Sequence, residues 1–185
     1  MRYSQNHKAE TRQRIIAEAS RRFRRDGIEG TGLVPLMKAL GMTHGGFYAH
    51  FPSKEALVEA SLDAAVEQVD AKWQASSAPE QLQALLANYL STRHRDHPEA
   101  GCPLPTLCAE LGLRGQPSPA ADALARRMAA RVQDCTPAAG GADSGLVALA
   151  AMVGALTLSR AVADPALSEQ ILGAVHAALT PPAQV

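Results

Sequence analysis

Aromatic residues are scarce in this chain. They make up 4% of its 185 residues, too few for the aromatic and β-branched pairs that hold strands together. Cysteine is scarcer still: three residues, too few and odd in number for a disulfide framework, which points to the reducing cytoplasm. The opening stretch, Met1 to Lys8, has no apolar region and does not read as a secretory signal. The most apolar uncharged run, Gly145 to Ser159, falls short of the ~18–20 residues of a membrane span and is rich in glycine and alanine, so it reads as a buried helix. Enzyme signatures are missing too: no Gly-x-x-x-x-Gly-Lys-Ser/Thr loop, no His-Glu-x-x-His and no Gly-x-Ser-x-Gly. Gly27 to Gly32 has the wrong glycine order for a dinucleotide fingerprint. The chain reads as a non-enzyme without a cofactor.

What is present is apolar and helix-forming. Apolar residues reach 46% and charged residues 19%, with abundant alanine, the best helix former. The length suits one compact body or two small ones. Net charge is zero, yet it is unevenly placed. Residues 1–54 hold ten Lys/Arg against four acids, a net +6, and the remainder carries −6. A basic head on an acidic body is the electrostatic footprint of polyanion binding, although an arginine-rich solvated helix face looks the same on charge alone.

Periodicity predicts an all-α fold of about nine helices. Ile15, Ile16, Ala19 and Phe23 share one face of a helix over Lys8–Arg25, which Gly27 ends with Ile28 as a hydrophobic closer. A short helix follows over Leu33–Leu40. Thr31 or Gly32 caps it, and Pro35 fits the first turn best if Gly32 is the cap. Gly41 turns the chain, and Thr43 caps a second short helix, His44–His50, closed by Phe51-Pro52. Ser53 caps a longer helix with Leu57, Val58, Leu62, Ala65, Val66, Val69 and Trp73 inward, up to a break at 76–79. Further helices are expected over Glu80–His97, Thr106–Leu113, Ala120–Cys135, Ser144–Ala163 and Ala166–Leu179, with a loop at 98–105 and the most flexible stretch at 136–141.

Two short helices joined at Gly41 form a helix-turn-helix arrangement, with Leu36, Leu40 and Met42 expected to pack the pair. The second helix of such a pair enters the major groove while the first crosses the backbone. A purely structural helix hairpin is the plainer alternative. The adjacent Gly45 and Gly46 are poor helix formers, but without a Cβ they let a backbone approach a phosphate or base edge.

Thr11-Arg12, Ile15-Ile16, Ala19, Phe23, Gly27, Thr31, Leu36, Gly41, Gly46, Phe47-Tyr48, His50-Phe51, Ser53-Lys54 and Leu57 stand without a gap at spacings that resemble the TetR/AcrR family of transcriptional repressors. Gly32 stands where that family usually has Ser or Thr, and Pro35 is also less usual. Gly101-Cys102-Pro103-Leu104 with Glu110-Leu111 resembles the LmrA/YxaF-like subgroup more faintly. The resemblance implies a three-helix DNA-binding head over residues 1–53, with the helix-turn-helix motif at about 31–50. Residues 54–185 would form a ligand-binding and dimerisation body, joined to a second copy through the last two long helices. A small-molecule effector would release the homodimer from a roughly palindromic operator.

By the same resemblance Thr31 caps the first helix of the pair and touches phosphate, and Thr43 caps the recognition helix. His44 and Gly45 sit where bases are reached, and Tyr48, His50 and Lys54 contact phosphate. Arg2 and Lys8 would lie along DNA from a loose arm. The recognition helix lacks Arg, Asn and Gln, so direct base readout is expected to be modest and DNA shape to contribute.

In the body, an organic effector would be lined by Leu86, Tyr89, Leu90, Leu104, Leu107, Leu111, Met128 and Met152, all of which equally suit a core. Gly145, Ala148, Ala151, Met152, Ala155 and Ser159 suggest a dimer seam with Val175 and Leu179, or alternatively the chain's own core. His94 and His97 share a helix face, and with Cys102 and Cys108 they suggest metal sensing, although the spacing matches no strong metal motif. Thiol sensing by Cys102, Cys108 or Cys135 is the other variant. Outside this class, a helical ligand carrier that does not bind DNA remains the alternative.

Overall fold

The computed structural model describes residues 2–72, 78–135 and 143–180. Among the described residues there are ten α-helices and no strand. They are α1 (Arg2–Gly30), α2 (Leu33–Ala39), α3 (His44–Phe47), α4 (Lys54–Lys72), α5 (Ala78–Tyr89), α6 (Thr92–Asp96), α7 (Leu104–Leu113), α8 (Pro119–Cys135), α9 (Ser144–Ala161) and α10 (Pro165–Leu179). Trp73, Ser76, Ser77 and the stretch 136–141 lie outside the described residues, as does the side chain of Val69.

The tenth helix arises because the expected helix over Glu80–His97 is broken. Ser91 takes an extended conformation and its hydroxyl accepts from the His94 amide (3.1 Å), starting α6 afresh. The same hydroxyl donates to the Asn88 carbonyl (2.8 Å), so one serine serves both ends of the break. A loop was expected to run to Pro105, but α7 already begins at Leu104, where Pro105 falls in the first turn and removes no needed donor.

The chain divides into two compact units. The first comprises residues 1–65 with 99–121, the second residues 66–98 with 122–185. This division falls inside α4, beyond the 53/54 boundary expected from sequence, because residues 54–65 and α7 belong with the N-terminal helices.

In the first unit, Ile15, Ala19 and Phe23 are fully buried along α1, with Ile16 nearly so. The isoleucine and phenylalanine side chains each contribute about 1.5–3 kcal/mol on leaving water. Gly27 interrupts α1 at φ 76°, ψ 177°, a conformation open essentially to glycine alone, and turns Ile28 into the core. α7 packs along α1. Thr106 donates its hydroxyl to the Arg24 carbonyl (2.9 Å), and the Glu110 carboxylate accepts from the Glu29 amide (2.7 Å). Arg114 pairs with Glu29. The Glu59 carboxylate accepts from the Ala120 amide at the start of α8 (3.2 Å).

In the second unit, α9 packs on α10 and on α6. Ser168 on α10 donates to the Ser159 carbonyl on α9 (2.6 Å), and Arg160 donates to the carbonyls of His94 (2.7 Å) and Arg95 (3.1 Å) at the end of α6. Gly145 lies against α8 so closely that a Cβ there would stand 2.2 Å from the Ala129 carbonyl oxygen. The helix α9 runs 18 residues, ending two before the expected Ala163, and by length and composition it would pass for a membrane span. Of that stretch 39% is buried inside the protein, where one face of the helix packs on its neighbours.

This placement corrects the seam expected on α9. Gly145, Ala148, Met152, Ala155 and Ser159 are buried within their own unit, because they form the face turned to its neighbouring helices. Ala151, Val175 and Leu179 are half-buried. The outward face of α9 is a different one, with Leu146, Val147 and Leu158 all more than half exposed.

Candidate nucleic-acid interface

The site is built on α2, the Gly41 turn and α3. Gly32 is the N-cap of α2, extended and without a side-chain cap. Thr31 is therefore not the cap that the family resemblance implied. It is 2% exposed and donates its hydroxyl to the Gly27 carbonyl (2.7 Å), closing the last turn of α1. A Cβ at position 32 would stand 3.1 Å from the ring carbons of Pro35, tighter than ordinary contact. The two departures from the family pattern are thus one adjustment: the proline ring occupies the space beside a residue that has no side chain.

Gly41 turns the chain at φ 72°, and the Met42 amide donates back to the Met37 carbonyl (2.9 Å). Leu36 and Met37 are fully buried between the helices, whereas Leu40 and Met42 are only half-buried. Met37 was not singled out by the sequence pattern, although it neighbours Leu36 on the inward face. Thr43 caps α3, accepting from the Gly46 amide (3.3 Å). Regular helix ends at Phe47, three residues earlier than expected, as Phe47 and Phe51 turn inward and stack (5.7 Å between centroids).

Those two phenylalanines decide what faces outward. Thr43, His44 and Gly45 are exposed, and Tyr48 is 56% exposed. Tyr48 is held edge-on by Phe47 (5.2 Å) and by His44 (5.5 Å), so the exposed rings brace one another. Lys54 opens α4 half-buried, with Ser53 accepting from the Ala56 amide (3.2 Å). Added Cβ atoms at Gly45 or Gly46 meet nothing closer than 3.5 Å, so the fold does not require glycine at either position.

Beside this surface lies a cavity of about 480 Å³, lined by His7, Lys8, Thr11 and Arg14 of α1, by the Gly41-Met42 turn and by His50. Arg14 reaches the Leu40 carbonyl (3.4 Å), and Arg12 lies over the Phe51 ring (4.7 Å). Burial first, then Lys8, Arg12 and His7, hold the His50 pKa below its ordinary value. His7, Thr11 and Arg14 were not among the expected site residues; their i, i+4, i+7 spacing on one helical face was the available signal. Arg2 and Lys8 belong to α1 itself, not to a loose arm, since the helix begins at Arg2.

The other expected residues are dispersed. Leu86, Tyr89, Leu90, Met128 and Met152 are buried in the second unit, and Leu104, Leu107 and Leu111 in the first. None of them lines this cavity or the other one described, a cleft of about 290 Å³ beside Arg95, Arg160 and Ser168. Among the described residues no three His, Cys, Asp or Glu are placed to hold a metal ion. The His94 ring instead contacts the Tyr89 carbonyl (2.8 Å). Cys135 is buried, and desolvation raises the thiol pKa of Cys108. Cys102 differs. Arg24 is 8% exposed with its Nε unpartnered; burial lowers its pKa, and the charge of Cys102 opposes that shift.

A capped short helix after a glycine turn, carried on a basic three-helix head, defines a helix-turn-helix protein. Residues 15–61 match the model of the bacterial regulatory proteins, tetR family, so the head of this chain is similar to that family. The probable HTH-type transcriptional regulator ArpR of Pseudomonas putida is 38% identical over 76 residues, which cover 41% of this chain and 36% of ArpR. The HTH-type transcriptional regulator LmrA of Bacillus subtilis (strain 168) is 31% identical over 114 residues, 58% of this chain and 61% of LmrA. The chain thus matches about a third of the one relative and under two thirds of the other. Solved folds are similar over nearly the whole chain. The reduced form of NemR from E. coli has a TM-score of 0.73 at 21% identity, covering 93% of this chain and 98% of NemR. AibR, solved with isovaleryl coenzyme A and operator DNA, has a TM-score of 0.54 at 17% identity, covering 92% and 98%.

Proposed function

We propose that this chain is a ligand-responsive, DNA-binding transcriptional regulator, a repressor released from a palindromic operator by a small molecule. The observation that carries the reading is the surface around α3. Thr43, His44, Gly45 and Tyr48 face outward from a helix that Phe47 and Phe51 anchor, within residues 1–54, whose net charge is +6. In this reading residues 1–53 are the DNA-binding domain and residues 54–185 bind the effector and a second copy. Thr43, His44 and Gly45 approach base edges; Tyr48, His50 and Lys54 hold phosphate; Thr31 supports the head from within. Catalysis plays no part, and the working compartment is the cytoplasm, where operator DNA is found.

Homodimerisation is drawn from the outward face of α9. Leu146, Val147 and Leu158 leave apolar surface exposed along a helix without a charge on that face, and Leu167 of α10 is 42% exposed. Such a surface suits a two-fold contact between identical helices. Paired heads would read half-sites about 34–36 Å apart or a multiple of that spacing. The effector is an organic molecule, consistent with the coenzyme A thioester carried by AibR. In this reading the effector meets the apolar residues of the second unit, Leu86, Tyr89, Leu90, Met128 and Met152.

A second reading, thiol sensing, is favoured by one electrostatic interaction: the buried Arg24 guanidinium, which feels Cys102, would supply the positive charge a reactive thiolate needs. Among the three cysteines it singles out Cys102. The metal-sensing variant has no comparable support, given the engagement of His94 by Tyr89.

The test is a fluorescence-polarisation titration with DNA flanking the chain's own coding region, at two salt concentrations. Site-specific binding that weakens steeply with salt supports the reading, since each neutralised phosphate adds to the salt slope. His44→Ala and Tyr48→Ala are expected to abolish specific binding while the protein stays folded. Unchanged affinity in both would sink the assigned docking, and a flat salt response would remove DNA as the partner of the basic head.

A further inference from the structure

The basic cavity beside α3 has a composition that its own unit does not explain. Four basic side chains line it, His7, Lys8, Arg14 and His50, and no carboxylate does. Arg12 adds a fifth cation at the Phe51 ring next to it. Like charges gathered round a cavity destabilise one another, so the arrangement is costly until something negative enters. Within the cluster His50 is the member that adapts. It is half-buried, and its Nδ1 is buried without a hydrogen-bond partner. Its neighbours on α1 are His7, Lys8 and Arg12, and the turn opposite contributes the uncharged Leu40, Gly41 and Met42.

We propose that this cavity is a phosphate site, and that filling it takes up a proton at His50. The inference rests on the reading of the chain as a DNA-binding protein and adds a linkage that reading does not contain. In the empty cavity His50 is desolvated and faces cations, so the neutral ring is favoured. A phosphate oxygen reverses the sign of the local field. It also supplies an acceptor for a ring that becomes a donor at both nitrogens on protonation. Arg14, pinned to the Leu40 carbonyl, and Lys8 supply the permanent charge, and His50 supplies the charge that appears only on binding.

Position argues for a phosphate of the DNA backbone over a free phosphate ion. The cavity is walled by the turn that precedes α3 and by Ala49-His50 that follow it, so an anion seated there lies alongside the recognition helix. A contact of this kind positions the helix without reading sequence.

The sign of the linkage follows. Binding raises the proton affinity of His50 from a depressed starting value, so DNA affinity rises as pH falls through the histidine range. One proton contributes at most about tenfold in affinity per pH unit, between the midpoints of the unbound and bound forms.

The experiment is an NMR titration of the full-length chain, following the His50 ring signal, assigned through the backbone, from about pH 5 to pH 8. It is run with the protein alone, with inorganic phosphate, and with a mixed-sequence DNA duplex at low salt. The expected result is a His50 midpoint that moves up when the duplex is bound. Polarisation titrations of the same duplex should then show affinity rising as pH falls, with His50→Gln removing part of that rise and His176→Gln, on α10, retaining all of it. The wild-type NMR readout stands even if His50→Gln folds poorly. A duplex that binds while the His50 midpoint stays where it was would overturn the linkage and leave the DNA reading intact. A midpoint moved by inorganic phosphate, with no duplex binding at any pH, would keep the phosphate site and remove DNA as its source. No movement with either probe, and no duplex binding, would overturn both.

Discussion

The carboxylate of Glu110 accepts hydrogen bonds from two successive backbone amides, Ile28 and Glu29, 82 and 81 residues away in sequence. These amides follow the kink at Gly27, where regular α-helical bonding is interrupted, so a side chain from α7 satisfies donors that α1 cannot. A Cβ at Gly27 would stand 2.7 Å from the same carboxylate. Glycine at position 27 thus serves both the backbone conformation and the approach of Glu110. We expect Glu110→Ala to destabilise the first unit by about 1–3 kcal/mol, the cost of leaving such donors unmade. Gly27→Ala should cost a similar amount, about 1–3 kcal/mol, through backbone strain. Chemical denaturation of both variants measures it; two unperturbed midpoints would show the cradle to be energetically idle.

The contact between α8 and α9 makes a second prediction. The Gly145 amide and the Ser144 hydroxyl both donate to the Gln133 side-chain oxygen (2.8 and 2.7 Å), which draws the start of α9 onto α8. No Cβ fits against the Ala129 carbonyl at that separation. Gly145→Ala is expected to destabilise by about 1–3 kcal/mol, the range for forced overpacking. This outweighs the ~1 kcal/mol that alanine ordinarily gains over glycine within a helix. A rise in melting temperature would contradict the packing.

The outward face of α9 predicts a change of assembly. Placing charge at its two most exposed apolar positions, Val147→Glu with Leu158→Glu, leaves the buried face untouched. Sedimentation velocity is expected to show the double variant as a monomer with unchanged helical content. A dimer that persists would move the interface to another surface.

His94 predicts a dependence of stability on pH. Burial lowers its pKa, the Tyr89 carbonyl opposes that shift, and Arg160 adds to it. A histidine with a depressed folded pKa binds fewer protons folded than unfolded. Its contribution to stability is therefore fully present above the unfolded value, about 6.5, and is lost as pH falls below it. His50 carries a shift of the same direction and adds to the loss. Melting temperatures from about pH 7.5 down to about pH 5 should fall, and His94→Gln should flatten part of that fall. An unchanged slope in the variant would place the proton-linked group elsewhere.

Much of the head was legible in the residue order because its signals are local. Thr43 three residues before Gly46, Gly41 at the turn and Ser53 before α4 each act within one helical turn, so their roles follow from spacing alone. The buried stripe Ile15, Ala19 and Phe23 follows from helical period. Gly32 as cap was readable in the same way, from Pro35 three residues on. Family resemblance points to Thr31 as the cap instead, but its hydroxyl is used inside the head, on the Gly27 carbonyl.

Contacts between distant segments were settled by tertiary packing. Periodicity tells which residues of α9 are apolar but not which of two apolar faces meets α10, since alanine, glycine and leucine occupy both. The bond from Glu110 to the Ile28 amide, the electrostatic interaction of the buried Arg24 with Cys102 and the gathering of His7, Arg14 and His50 round one cavity join residues from 7 to more than 80 positions apart. Chain order encodes the local energies of caps, turns and helix faces. Which helix faces meet, and therefore which charges are buried together, depends on the packing of whole helices at once.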